Sequence, residues 1–484
     1  MRIPQKSPDW QSLVDGLTKQ PASDAANNIW MKIVSPSVRA FVQRANEGYS
    51  HWDHVRMQSV PEGLTHETAW LAIQLSRSPQ RQNLPIEFNG YQQLHYWLPP
   101  SHIELISSID KRAGAYVATR HNNAIPDDNE RYLVNSLMEE AIASSQIEGA
   151  ATTREVAKEM LRSERRPRDK GEQMILNNYN AILEIRERKA DALTPELLLN
   201  LHSVLTENTL DDPGEGGRFR LPGENINVID FRTNEVIHTP PPAKEIAGRI
   251  QSICEFANQK SKPYVHPLVK AIALHFAIGF VHPFVDGNGR TARALFYWYM
   301  LKSGYWMFEF LPISRIIKSA PAKYTRAYLY TEHDNGDLAY FNNYHLRVVE
   351  RAINDLQEYL EQQQALVQEA CDLLENFPEL NYRQRVVVQN SIKHPLKKTT
   401  AREHQGKFQK TYNTARADLD HLVRLGLLVK KEQAKGRVEL SYMPSPDIMK
   451  KLKASCNRKI RKRIKHDPVP DRFLQGGLFD SLFE

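Results

Sequence analysis

Residues 282–293 hold one histidine, one aspartate, two glycines and two arginines in an order that suits phosphate chemistry: His282, Asp286, Gly287, Gly289, Arg290 and Arg293. Leu268 to Val281 is apolar with helical period, so His282 closes one helix and a tight glycine turn opens another near Gly289. Backbone N–H groups at such a helix start point outward together and make a nest for an anion. Arg290 and Arg293 are three residues apart, so both can face one side of the first turn and offer paired donors to phosphate oxygens. Asp286 precedes the nest and can hold a divalent cation; Mg²⁺ takes one or two carboxylates and completes its shell with phosphate oxygens and water. His282 then stands at the edge of a polyphosphate site with a pKa suited to deprotonating a hydroxyl. A competing dinucleotide fingerprint, Gly287-x-Gly289-x-x-Ala292, needs a preceding strand and an acidic residue roughly 20 positions on, and here the preceding run is helical.

The elements that must position these residues are mostly helices. Apolar positions recur at helical spacing over 101–113, 130–144, 183–188, 195–206, 242–257, 267–281, 289–301 and 337–375. Thr152 followed by Glu155 predicts a capped helix start. The stretch 211–242 carries four glycines and five prolines and breaks the pattern. Within it, alternation at Asn225–Val228, a polar turn at 232–234 and Val236-Ile237 predict a hairpin. Beyond 378, short helices precede one over 411–425, ended by Gly426; then 427–431, a turn at Lys435-Gly436 and 438–442 predict a two-stranded wing. The order resembles a winged helix-turn-helix.

At 484 residues, two to four domains are expected. Three scattered cysteines give neither metal-ligand spacing nor a disulfide framework. With no apolar run of about 18 residues and no secretory signal at the start, a cytoplasmic protein without membrane partners is expected. The net charge of +7 is unevenly spread: residues 393–468 contain 21 Lys or Arg against 7 Asp or Glu, so the remainder is acidic overall. A basic end of this kind points to a polyanion such as nucleic acid.

The run His282-Pro283-Phe284-Val285-Asp286-Gly287-Asn288-Gly289-Arg290-Thr291-Ala292-Arg293 matches H-x-F-x-[DE]-G-N-G-R-x-x-R at all eight specified positions, and the chain thereby resembles the Fic family (filamentation induced by cAMP). Ser50-His51-Trp52-Asp53 and Pro61-Glu62-Gly63-Leu64-Thr65-His66-Glu67 are similar to the N-terminal region of bacterial relatives. The resemblance implies a mainly α fold, a helical core with a β-hairpin flap and an appended winged helix, divided as 1–100 (N-terminal region), 101–350 (catalytic domain), 351–377 (linker helix), 378–446 (winged helix) and 447–484 (basic tail). It implies transfer of AMP from ATP to a protein hydroxyl. His282 would be the general base and Asp286 the Mg²⁺ ligand. Gly287, Asn288 and Gly289 would hold the α-phosphate, Arg290 the β-phosphate and Arg293 the γ-phosphate, with Tyr324 near the nucleotide and Phe284 anchoring the loop. A flap over 223–241 would dock the target protein. Ser144-Ser145-Gln146-Ile147-Glu148-Gly149 resembles the family's inhibitory motif [ST]-x-x-x-E-[GN], with Ser144, Glu148 and Gly149 at the specified positions on a helix over 130–149.

Several alternatives stand beside AMP transfer. The Doc branch transfers phosphate instead, but Gly289 leaves room for an α-phosphate beside the histidine. Some relatives remove AMP, their inhibitory Glu aligning a water. A third option is a DNA-binding regulator whose Fic domain senses nucleotide, with Lys407, Lys410, Thr411, Tyr412, Asn413 and Arg416 suited to groove and phosphate contacts. Winged helices also dock proteins, and self-modification and a homodimer are further partner expectations.

Overall fold

The computed structural model describes residues 3–19, 24–90, 92–113, 129–224, 226–230, 233–260, 262–375, 379–393, 398–432 and 440–454. The chain divides into two compact units, Met1–Leu356 and Gln357–Glu484. Among the described residues it is mostly helical, with two two-stranded sheets in the first unit and a three-stranded sheet in the second.

The centre of the first unit is a pair of helices, Pro267–Val281 and Asn288–Lys302, joined by the turn at 282–287. Thirteen of the fifteen residues in Pro267–Val281 are buried, and a helix apolar on every side belongs inside a core. Proline opens it, and the His266 ring accepts the Leu268 N–H, so its first turn is capped. Helix Asn129–Ile147 packs over this pair through a buried carboxylate. Glu140 accepts the Tyr297 hydroxyl (2.7 Å), the Ser314 N–H (2.9 Å) and the Ser314 hydroxyl. That helix stops at Ile147, two residues short of the predicted 149, because the Ser145 carbonyl accepts N–H groups from both Glu148 and Ala150 while Gly149 turns left-handed at φ 97°.

Helix Lys170–Glu187 begins well before the expected 183. Its buried face carries Asn177, which donates to the Glu207 carbonyl (2.7 Å), and Asn178, which donates to the Ser145 hydroxyl (2.9 Å). Those buried amides broke the apolar periodicity. The helix before it, Arg154–Ser163, is capped by Thr153, which accepts the Val156 N–H, one residue later than predicted, since the Thr152 carbonyl is held by Gln146.

In the N-terminal region, a hairpin of Gln82–Glu87 and Gln93–Tyr96 had no clear sequence signal. His95 exchanges backbone hydrogen bonds with Gly336 and Leu338 and so fastens it to the core. Buried Arg77 donates to Asn46, Tyr340 and the Ser50 carbonyl, and its guanidinium lies 4.0 Å over the Tyr49 ring. His51, in the segment resembling bacterial relatives, stacks on Tyr330 at 4.1 Å. These contacts are structural joints.

The hairpin predicted in the glycine- and proline-rich stretch is present as Val228–Asp230 paired with Glu235–His238. Residues 225, 231 and 232 lie outside the described residues.

The second unit contains helices Tyr382–Lys393, Ala401–Phe408 and Tyr412–Arg424 and a sheet in which Leu440–Pro444 lies between Thr399–Thr400 and Leu428–Glu432. Thr411 caps Tyr412–Arg424, and Gly426 follows it at φ 71°. Buried Asp418 accepts from Asn381, Arg383 and His404 and ties three helices together. One expectation requires correction here. The basic tail does not start at 447: Ile448 and Leu452, four apart on a helical turn, are buried in this core, where apolar burial outweighs the local charge. The wing turn at 435–436 and the tail from 455 lie outside the described residues.

Candidate active site

His282 ends helix Pro267–Val281 in the left-handed conformation, φ 47° and ψ 58°. Its Nδ1 donates to the Gly279 carbonyl at 3.0 Å. The proton is thereby placed on Nδ1, leaving the Nε2 lone pair with no partner among the described residues. The turn that follows is stapled by Asn288, whose side chain accepts the Phe284 N–H (2.9 Å) and donates to the Phe284 carbonyl (2.8 Å). Asn288 therefore spends its amide on the loop, and only its backbone N–H remains for an anion. Gly287 at φ 83° must be glycine: a Cβ there would lie 2.8 Å from the Thr206 methyl. The N–H groups of Asn288, Gly289 and Arg290 open the helix without intrahelical partners, as at any helix start.

Two residues that sequence reading missed hold this turn from outside. His202 stacks on Phe284, ring centroids 3.8 Å apart and planes 3° apart. Its Nδ1 accepts the Gly217 N–H (3.1 Å), so its proton sits on Nε2, which donates to the Asp286 carbonyl (2.9 Å). Arg220 donates from Nε to the His282 carbonyl (2.9 Å), from its backbone to the Pro283 carbonyl (2.8 Å), and from Nη2 to the Pro241 carbonyl. One guanidinium thus joins the turn to the base of the 228–238 hairpin. His202 and Arg220 lie more than 60 residues from the turn; the one local hint is a histidine on the buried face of helix Pro195–Thr206.

The two arginines serve different neighbours. Arg290 is fully buried and donates to the Leu205 carbonyl (2.8 Å) and Asp286 Oδ2 (3.2 Å), while its Nε has no partner among the described residues. Arg293, also buried, donates from Nε to the Ser144 hydroxyl (2.9 Å), and from Nη2 to the Ser144 carbonyl (3.0 Å) and Glu148 Oε1 (2.9 Å). A Cβ built on Gly289 would run into the Glu148 carboxylate. Glu148 therefore lies across the start of helix Asn288–Lys302, over the place where an anion would meet the N–H groups. Tyr324 stands close by: burial raises its phenol and the Arg293 charge opposes that rise, while its hydroxyl meets His275 Nε2 at 2.7 Å.

Asp286 keeps half of its side chain exposed; Oδ1 accepts the Gly287 N–H and Oδ2 accepts from Arg290. One open carboxylate beside an anion nest fits Mg²⁺, which draws most of its ligands from phosphate and water. No cluster of three or more metal-ligating side chains occurs among the described residues.

Burial pushes the His282 imidazole down to about 4, and the His202 imidazole likewise. Both are neutral bases at physiological pH. His282 resonances, identified by their loss in His282→Asn, should therefore stay constant from pH 8 to pH 5.5 in NMR of ¹³C-histidine-labelled protein and move only as pH approaches 4. A midpoint near the ordinary value of about 6.5 would contradict this buried, Nδ1-bonded geometry.

In the second unit, Lys407, Lys410, Thr411, Asn413 and Arg416 are all exposed around the turn between helices Ala401–Phe408 and Tyr412–Arg424. Thr411 uses its hydroxyl for capping, and Arg416 lies 3.6 Å from Asp420.

Residues 192–300, which include the whole turn, match the Fic/DOC family. Protein adenylyltransferase Fic of Drosophila willistoni is 31% identical over 116 residues, 23% of this chain and 20% of the relative. Protein adenylyltransferase fic-1 of Caenorhabditis elegans is 30% identical over 118 residues, 24% of this chain and 21% of the relative. The match thus spans about a fifth of the length of these curated relatives. A crystal structure of a Fic family protein from Desulfovibrio desulfuricans G20 superposes with a TM-score of 0.49 at 19% identity, covering 72% of this chain and 98% of that one. No helix among the described residues is long and apolar enough to cross a membrane. The turn that carries His282 and both arginines thus lies inside the stretch that matches the Fic/DOC family.

Proposed function

We propose that this chain is a protein adenylyltransferase restrained by its own Glu148. It transfers AMP from ATP to a hydroxyl of a target protein. His282 Nε2 takes the hydroxyl proton, the oxygen attacks the α-phosphorus, and the bond to the leaving pyrophosphate breaks. Asp286 would hold Mg²⁺, and the ion would supply positive charge to offset that of the phosphates. The N–H groups of Asn288 and Gly289 receive the α-phosphate, and the arginines serve the β- and γ-phosphates. The observation that carries this reading is the Glu148–Arg293 pair lying over Gly289, beside an imidazole whose Nε2 is open. The names of the matching relatives support the reaction class.

The hairpin at 228–238 would serve as the docking flap. Among the described residues it pairs with no third strand, and Ile229 and Val236 expose their apolar side chains, as an element that takes a target by β-augmentation requires. Parallel reactions with α- and γ-labelled ATP test the chemistry: label from the α-phosphate alone is expected. Label from the γ-phosphate alone would make the chain a kinase. The same Glu148 carboxylate, if it aligns a water, would support removal of AMP.

A second reading is supported by the exposed basic residues at 407–416: the C-terminal unit, with its helix–strand–helix–helix–strand–strand order, is a winged helix that binds DNA. Affinity of the full chain for duplex DNA should then fall steeply between low and physiological salt, with a log–log slope near −0.9 per neutralised phosphate. Lys407→Ala with Lys410→Ala should reduce that slope by about two. Fluorescence anisotropy measures both. No binding at low salt would assign the unit to protein docking.

A further inference from the structure

His238 closes strand Glu235–His238 and faces Val228 across the hairpin. Its imidazole is buried and reaches two other elements. Nδ1 meets Glu332 Oε2 on helix Pro321–His333, and Nε2 meets the carbonyl of Phe280 on helix Pro267–Val281, each at 2.8 Å. Phe280 lies two residues before His282. One ring therefore joins the hairpin to the last helical turn before the proposed base.

Both partners are acceptors. A carbonyl oxygen has no proton to give, and neither has an ionised carboxylate. A neutral imidazole carries one proton and would turn a lone pair toward one of these oxygens, a costly arrangement away from water. The two bonds are satisfied together only by the imidazolium. Burial opposes that charge, but the hydrogen bond and the negative charge of Glu332 outweigh it, and the pKa stands above the ordinary 6.5. The carbonyls of a helix's last turn, which carry partial negative charge, favour it further. Arg220 acts against it. Glu245 and Arg249, in the same cleft, pair with each other at 2.8 Å, and Lys6 and His333 also line it. Beside burial, the charge on His238 opposes a proton on His282. When the ring gives up a proton, the one left stays with the carboxylate, the stronger acceptor, and the Phe280 carbonyl loses its donor. Arg220, which donates to the Pro241 and His282 carbonyls, then bridges without it. With a folded-state pKa that is raised, the contribution is complete below about 6.5 and is lost as pH rises through the folded-state midpoint.

We propose that His238 is a positioning residue that fastens the 228–238 hairpin to the helix ending at His282 through a doubly protonated ring, and that this fastening loosens as pH rises. Its consequence for target docking rests on the adenylyltransferase reading, whereas the proton count does not. ¹⁵N-histidine NMR of the full-length chain reads that count. Resonances of His238, identified by their loss in His238→Gln, should show both nitrogens protonated at about pH 6.5, with a midpoint above that value. Glu332→Gln should lower the midpoint by about one unit or more, as loss of an adjacent opposite charge does. Hydrogen exchange at the amides of strand Glu235–His238, corrected for the intrinsic rate, should quicken about tenfold through the same midpoint, the worth of one charge-assisted bond. Incorporation of α-labelled AMP by the Glu148→Gly chain should fall over that range as well. A single-proton ring at about pH 6, a midpoint unmoved by Glu332→Gln, or exchange and incorporation that stay level through the midpoint overturn the proposal. Absence of α-phosphate label at every pH overturns the adenylyltransferase reading instead, and the proton count and hairpin exchange still decide the role of His238.

Discussion

Glu148→Gly should raise AMP transfer at least tenfold over the unsubstituted chain at saturating ATP and Mg²⁺. Two effects act together. Glu148 Oε1 holds Arg293 Nη2 at 2.9 Å, and the carboxylate fills the space over Gly289 where an α-phosphate would approach the helix start. With Glu148 in place, a triphosphate meets a negative charge and a bulky group, and it must bend away from the hydroxyl near His282. Misplacement of about 1 Å can cost ~10²-fold in rate, so the restraint needs no large loss of ATP affinity. Removing the carboxylate does not release Arg293. Its bonds to the Ser144 hydroxyl and carbonyl remain, so on the proposed reading the guanidinium would stay placed for the γ-phosphate. Arg293→Ala should therefore show no gain, because it removes the phosphate contact along with the restraint. Any AMP removal should disappear in Glu148→Gly, since its water would lose the aligning group. Incorporation of α-labelled AMP into protein measures all three variants, and equal rates for the unsubstituted chain and Glu148→Gly would reject inhibition through this residue.

His282→Ala should lower transfer by about 10²–10⁴, the usual contribution of a positioned base. ATP binding should change little, because the N–H groups, Asp286 and the arginines are untouched. The substitution has a structural cost of its own. His282 sits at φ 47°, where alanine is strained by about 1–2 kcal/mol, and the Gly279 carbonyl loses a donor. His282→Asn tolerates that backbone better and separates the two effects: it should lose activity as fully while melting closer to the unsubstituted chain. Isothermal titration with ATP, thermal melting and α-label incorporation together distinguish lost chemistry from lost fold. Transfer within about tenfold of the unsubstituted chain, well short of the range for a general base, would remove His282 from the role.

Short-range patterns were legible in the residues alone. The apolar run before His282, the two glycines and the following helix follow from neighbours within a few positions, because helix period, left-handed glycine and the opening N–H groups are local properties. The hairpin at 228–238 and the cap at Thr411 are of the same kind. The helix at 170–187 was only partly legible, since its buried face carries Asn177 and Asn178, whose amides are satisfied by residues from other elements. The tail was misread from 447 because charge counts do not reveal that Ile448 and Leu452 find a core. Tertiary structure alone decided which groups meet the turn. His202 on Phe284, Arg220 on the His282 carbonyl, Glu140 under Tyr297 and Ser314, and Glu148 on Arg293 join residues 62 to 174 positions apart. A side chain's pattern sets which face of its helix it occupies, but the partner across that face is chosen by how whole elements pack. The depressed basicity of His282 has the same origin: its sequence neighbours set where the imidazole's proton sits, and the burial imposed by the assembled core sets its pKa.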